Sequence, residues 1–396
     1  MRITPATELR DRTSRLQTLM QTEGLDAIIM MQNADLFYFT GTIQQGILYI
    51  PAVGEPLYFV RKDLARARME SGLKEIAPLK SPKDLPDLIQ GFGAALPQRL
   101  GMELDVIPVD LYQRITKAFP QATTSNATDL IRRVRAIKSD YEISIIKDCA
   151  LQVDRVVQRA KEVIKAGMTD LELAAELEYC ARKQGHPGFA RMRTFNGELH
   201  FGHTFSGTDS AVPSFGDTPL GGLGISPAVG QGASYRRIRE NEPIIIDFAG
   251  AFDGYLCDQT RVFCIGGLPE KLHRAYDDMI RIENRCKEIA IPGASWGAIY
   301  DNCHQYACEL GYQQSFMGNP GAQVSFIGHG LGIEIDEYPF IARGFHDRVL
   351  ETGMVFAFEP KAVFAGLGAV GIENTFRVAD DGIKHITFSS EELVIL

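Results

Sequence analysis

The chain lacks an excess of positive charge, a long apolar run and an orderly set of cysteines. Its formal net charge is −9 over 396 residues, which argues against nucleic acid or an anionic membrane as a partner. No apolar stretch approaches the roughly 18 residues a membrane-spanning helix needs. The opening Met-Arg-Ile-Thr-Pro-Ala-Thr-Glu lacks the basic-then-apolar profile of a secretory signal. The seven cysteines, at 149, 180, 257, 264, 286, 303 and 308, are odd in number and scattered. They fit reduced thiols in a cytoplasmic protein better than a disulfide framework. Cys257 abuts Asp258 but reads as a small buried hydrophobe rather than a ligand. The remainder is ordinary globular composition, 45% hydrophobic and 23% charged, at a length for which two domains are expected.

Residues 8–60 alternate helical and strand signals. Leu9 to Gly24 has helical spacing, and 27–31 and 47–50 read as buried strands. This small α/β domain extends to about residue 130. The polar stretch Ala122–Thr128 lies near its end, with a linker expected just beyond. Ser139-Asp-Tyr-Glu142 and Thr169-Asp-Leu-Glu172 are capping boxes that open two helices. Ile146, Ala150, Val153 and Val157 form one apolar face; Leu173, Leu177 and Ala181 form the other.

The second part of the chain repeats itself at a spacing of 126 residues. Gly167 matches Gly293, Gly185 matches Gly311, Phe201-Gly-His203 matches Ile327-Gly-His329, and Ile-Ile-Asp247 matches Gly-Ile-Glu373. Four matches in register without a gap imply two related units facing each other about a pseudo-twofold axis. Asp247 and Glu373 then occupy equivalent places, both pointing at the centre.

Five residues at buried strands or strand ends carry the chemistry: Asp247, Asp258, His329, Glu359 and Glu373. Ionised carboxylates are rarely buried unless paired or bound to metal. Asp253-Gly254 signals a hairpin; centred between Phe252 and Asp253, it would place Asp247 directly opposite Asp258. Like charges so placed repel, and a bridging cation removes the penalty. Glycines flank His329 and permit close approach to a ligand. Glu359 precedes Pro360 and so sits in extended backbone. Four carboxylates and one imidazole match a two-metal hydrolytic site. The oxygen-rich donor set leaves manganese, cobalt, iron and zinc open.

These motifs resemble the family of methionine aminopeptidases, prolidases, Xaa-Pro aminopeptidases and creatinase. The resemblance rests on Asn33-Ala-Asp-Leu-Phe-Tyr-Phe-Thr-Gly41, Asp247-Phe-Ala-Gly, Tyr255-Leu-Cys-Asp258-Gln-Thr260-Arg261, Gly328-His329-Gly330-Leu-Gly332, Gly353-Met-Val-Phe-Ala-Phe-Glu359-Pro360 and Gly371-Ile-Glu373-Asn. It implies an α/β (α+β) chain with a creatinase/prolidase-like N-terminal domain over 1–130 and a pita-bread catalytic domain over 139–396. It also implies two divalent metals on the five named residues, with Glu359 doubling as general acid/base, and a homodimer.

Two departures bear on the substrate. The peptidases carry a second histidine seven residues after the ligand histidine, where this chain has Asp336. They also carry one about twenty residues before the first aspartate, whereas residues 204–246 hold none. Asp336 is then a candidate to bind a cationic substrate group, and His203 to supply a donor from another direction. The leading expectation is a metallopeptidase acting near a peptide N-terminus, on the model of the Xaa-Pro peptidases it resembles. The alternatives are a metalloenzyme acting on a small non-peptide amide or betaine-like compound, and a non-catalytic binding protein.

Overall fold

The computed structural model describes residues 2–396, which divide into two compact units, Met1–Arg135 and Ala136–Leu396. In the first unit, helix Ala6–Glu23 buries Leu9, Leu16 and Met20 along one face and ends at Gly24, whose φ of 67° suits a residue without Cβ. A six-stranded mixed sheet follows, in the spatial order Glu75–Pro78, Leu57–Val60, Gly46–Pro51, Ala27–Met30, Arg99–Met102, Thr123–Asn126. The central strand Ala27–Met30 is buried throughout, as its uninterrupted apolar run requires. The polar stretch before residue 128 is not the approach to a coil linker. Thr123–Asn126 is the edge strand of the sheet, where polar side chains meet solvent, and helix Thr128–Ala136 follows it directly.

In the second unit both capping boxes form. Ser139 Oγ accepts from the Glu142 amide, and Thr169 Oγ1 from the Glu172 amide, while each glutamate carboxylate accepts from its cap backbone. The two helices, Asp140–Val163 and Asp170–Lys183, pack Val153, Val157, Leu173, Leu177 and Ala181 against Ile244, Ile246 and Phe248. Those three residues belong to a four-stranded sheet ordered Val394–Ile395, Tyr255–Cys264, Ile244–Phe252, Gly202–Ser206.

The 126-residue repeat is visible in the backbone. Helix Trp296–Glu309 begins and ends 126 positions after Asp170–Lys183. The glycines on either side have matching dihedrals: φ 88° and 87° at Gly167 and Gly293, 94° and 93° at Gly185 and Gly311. Helices Glu270–Ile289 and Trp296–Glu309 cover a five-stranded sheet ordered Ile335–Ala342, Phe326–Leu331, Val355–Phe358, Asn374–Ala379, Gly382–His385. A short hairpin, Lys361–Phe364 with Gly368–Gly371, completes the unit, and a bridge from Thr260 to Glu373 joins the two larger sheets.

The register of the Ile244–Cys264 hairpin differs from the expected one by two residues. Asp247 faces Thr260, and Asp258 faces Ala249. Asp253 and Gly254, with φ of 44° and 87°, are themselves the two-residue loop, so Phe252 and Tyr255 close it. A shift of two preserves the face. The two aspartates therefore remain on one side of the hairpin, as diagonal rather than opposed neighbours.

Candidate metal centre

The five predicted residues come from five different strands or strand ends of the second unit, and all five line one cleft. Asp258, His329 and Glu373 each offer a ligand atom within 4.8 Å of the others. His329 Nε2 lies 3.7 Å from Glu373 Oε1 and 3.8 Å from Glu359 Oε1, ion-pair separations rather than direct hydrogen bonds. The Thr260 hydroxyl ties Asp247 to this group. Its Oγ1 lies 2.9 Å from Asp247 Oδ1 and 2.7 Å from Glu373 Oε2, and its single proton serves one of them at a time. Backbone bonds hold the frame: Asp258 N donates to Thr375 Oγ1, which donates back to Asp258 O, and Arg261 donates to the Glu373 carbonyl.

Sequence patterning singled out the carboxylates and the imidazole but passed over Lys361. This lysine is completely buried, and its Nζ lies 3.2 Å from Glu359 Oε2 and 3.1 Å from Glu373 Oε2. The signal was available: Glu359 and Lys361 are two apart in extended backbone, hence on one side, and a lysine among apolar residues needs a buried carboxylate. Lys361 faces Gly371 across the short hairpin, and a Cβ at 371 would come 2.5 Å from Lys361 Cδ. The glycine makes room for the lysine stem.

The electrostatics are those of a centre short of positive charge. Burial and the charge of Glu373 push Asp258 well above the ordinary carboxylate range and Asp247 to about 7. Burial, only partly offset by Lys361, takes Glu359 to about 8. Burial would raise Glu373 too, but Lys361, His329 and Thr260 hold it well below the usual range. Burial disfavours charge on His329, yet the surrounding carboxylates outweigh it and raise the imidazole to about 10. A donor set of one imidazole and hard oxygens in such a place fits a divalent cation. The thiols do not compete: burial pushes Cys257 up to about 12, and all seven cysteines are unpaired.

The cleft holds about 110 Å³ of free space, below the roughly 300–1,000 Å³ of drug-sized pockets and on the scale of the reacting end of a small substrate. His203 and Asp336 both line it. His203 stands directly opposite Asp247 across the strand pair, so the two side chains share a face. Its Nε2 is buried with no hydrogen-bond partner, and desolvation lowers the imidazole to about 4, leaving it neutral. Asp336 has φ of 67°, and its Oδ1 lies 3.9 Å from His329 Nδ1. Its neighbour Glu337 anchors the segment by accepting from the amides of Ile333 and Glu334 and pairing with Lys138 at 3.1 Å. Glu198 and Asp217 also line the cleft, and no lysine or arginine is among its lining residues.

Comparison with known proteins agrees with this construction. The profile of the creatinase/prolidase N-terminal domain matches residues 12–137, and that of metallopeptidase family M24 matches 144–380. The Xaa-Pro dipeptidase of Pyrococcus furiosus is 26% identical over 388 residues, spanning 98% of this chain and 100% of its own length. Among solved structures, the Xaa-Pro dipeptidase of Bacillus anthracis superposes with a TM-score of 0.82 at 25% identity, covering 98% of this chain and 100% of that one. The prolidase of Pyrococcus horikoshii gives 0.80 at 24%, covering 97% and 100%. With the M24 profile extending over more than half of the chain, the protein belongs to metallopeptidase family M24.

Proposed function

We propose that the protein is a metal-dependent peptidase that hydrolyses the amide bond after the N-terminal residue of a short peptide, with Xaa-Pro peptides as the leading substrate class. The observation that carries this reading is the convergence of Asp258, His329 and Glu373, with Glu359 beside them, in an enclosed cleft. A bound divalent ion, whether manganese, cobalt, iron or zinc, would supply Lewis acidity and lower the pKa of a water. Asp258, His329, Glu359 and Glu373 would hold it, with Asp247 aligned through Thr260. A second ion beside Asp247 would meet the Lys361 ammonium. Glu359 would carry the proton to the leaving nitrogen, as a carboxylate lining the cleft beside the ion-binding group can.

His203 is positioned to hydrogen-bond the substrate from the Asp247 side, in place of the histidines found at other positions in the peptidases. Asp336 accepts from the substrate α-ammonium. Glu198 and Asp217 in the lining repel a C-terminal carboxylate, so the test sets a peptide amide beside the free dipeptide to which the relatives' names point. The dipeptidase relatives weigh against the non-peptide and binding-only alternatives. We also read residues 1–130 as a separate non-catalytic domain beside a catalytic domain over 139–396, and expect a cytoplasmic homodimer. No described helix is long and apolar enough to cross a membrane.

The test is a panel of Ala-Pro, Ala-Pro-amide, Ala-Ala and N-acetyl-Ala-Pro-amide, assayed with chelator-treated protein before and after Mn²⁺ is restored. Metal-dependent cleavage of free-amine substrates, fastest for Ala-Pro-amide, is expected. Cleavage that survives chelation, or no cleavage of any member with metal bound, removes the peptidase reading.

A further inference from the structure

The two oxygens of Glu359 and of Glu373 are divided between two cations' worth of space. Both Oε1 atoms face His329 Nε2, at 3.8 and 3.7 Å. Both Oε2 atoms face Lys361 Nζ, at 3.2 and 3.1 Å. Two ions at this centre would both have to draw on the carboxylates gathered here. Here one side of the glutamate pair is already taken by an ammonium that is fully buried and has a stem packed against Gly371.

We propose that Lys361 supplies the second positive charge of the centre, so that the chain holds one divalent ion per subunit, on the side of His329, Asp258 and the two Oε1 atoms. Charge supports this. One dication and the ammonium offset three of the four carboxylate charges of Asp247, Asp258, Glu359 and Glu373. A second dication on the Oε2 side would sit against the ammonium, like charges in close contact. Asp247 then faces the ammonium side and orients through Thr260 instead of binding the ion. The inference rests on the metal reading above but changes its stoichiometry.

The experiment is metal counting. Full-length protein is stripped with chelator, equilibrated with Mn²⁺, freed of loose ion and measured by elemental analysis, with electron paramagnetic resonance on the same samples. The wild type should hold one Mn²⁺ per chain with the six-line spectrum of an isolated ion. Lys361→Met, which keeps the stem and removes the charge, should hold two, with an exchange-coupled spectrum. Asp247→Asn should keep the single ion. Two ions per wild-type chain, or loss of the single ion in Asp247→Asn, overturns the assignment. No bound Mn²⁺ in any form, with circular dichroism showing folded protein, would remove the metal reading itself. If Lys361→Met does not fold, the wild-type count and Asp247→Asn still decide.

Discussion

The two repeats of the second unit share a backbone plan but differ in strand content, and one difference falls at the candidate site. In the first repeat the strand bearing His203 pairs directly with the strand bearing Asp247. In the second, Val355–Phe358 is inserted between the strand bearing His329 and the strand that follows Glu373. That inserted strand ends at Glu359, and the chain turns at once into Lys361. The insertion thus delivers both the Glu359 carboxylate and the buried Lys361 ammonium. The corresponding first-repeat positions, Ala233 and Tyr235, carry neither group. Duplication supplied two similar walls, and the asymmetry between them supplies the chemistry.

Removing what the inserted strand brings should therefore have the largest effect. Glu359→Gln keeps the shape and a ligand oxygen but cannot carry a proton. Turnover should fall by about 10³-fold or more, with far-ultraviolet circular dichroism unchanged. A variant retaining near wild-type kcat would leave Glu359 without a catalytic part.

The repeat-related histidines offer the next test. His329→Gln removes the imidazole grouped with Asp258 and Glu373, and bound metal should be lost with activity. His203→Gln should keep metal content while kcat falls by about 10²-fold, the scale of losing one donor to a developing oxyanion. Equal metal loss in both variants would make His203 a ligand and erase the distinction between the repeats. Asp336→Asn should act more weakly still. A charge-assisted hydrogen bond of about 1.5–3 kcal/mol corresponds to a 10- to 100-fold fall in kcat/KM for free-amine peptides. The N-acetylated substrate should show no such fall; an equal effect on both would rule out a contact with the ammonium.

Much of this arrangement was legible in the sequence because its signals are local or periodic. The capping boxes at Ser139 and Thr169 and the glycines at 126-residue spacing report backbone requirements directly. Carboxylates after apolar runs stood out because burial of charge is costly. The hairpin register was missed because its aspartate belongs to the turn, and positive φ at Asp253 is not marked by residue type alone. Lys361 was missed because a lysine after a proline reads as surface. Its partners Glu359 and Glu373 meet it only through a sheet order in which Val355–Phe358 lies out of sequence between two other strands. No composition or periodicity encodes that pairing.

The smallest predicted effect concerns the helices that open each repeat. Asp170 and Trp296 occupy equivalent first positions, and both are buried. Asp170 accepts from the Ser206 hydroxyl at 2.6 Å and the Ser206 amide at 3.3 Å. Burial outweighs these bonds and lifts its carboxyl to about 6. The unfolded chain releases this proton near pH 4, so between about pH 4 and 6 the folded form retains a proton that the unfolded form has lost. The associated stability is complete below pH 4 and declines as pH rises through 6. A shift of this size corresponds to about 2–3 kcal/mol at most. Asp170→Asn cannot titrate, so the wild-type advantage over the variant should shrink by up to that amount from pH 4 to 7. Trp296, the single tryptophan of the chain, lies in the same unit and reports its unfolding by fluorescence in urea. A wild-type-to-variant difference that stays constant across this range would show that Asp170 ionises in the folded protein as it does in the unfolded chain.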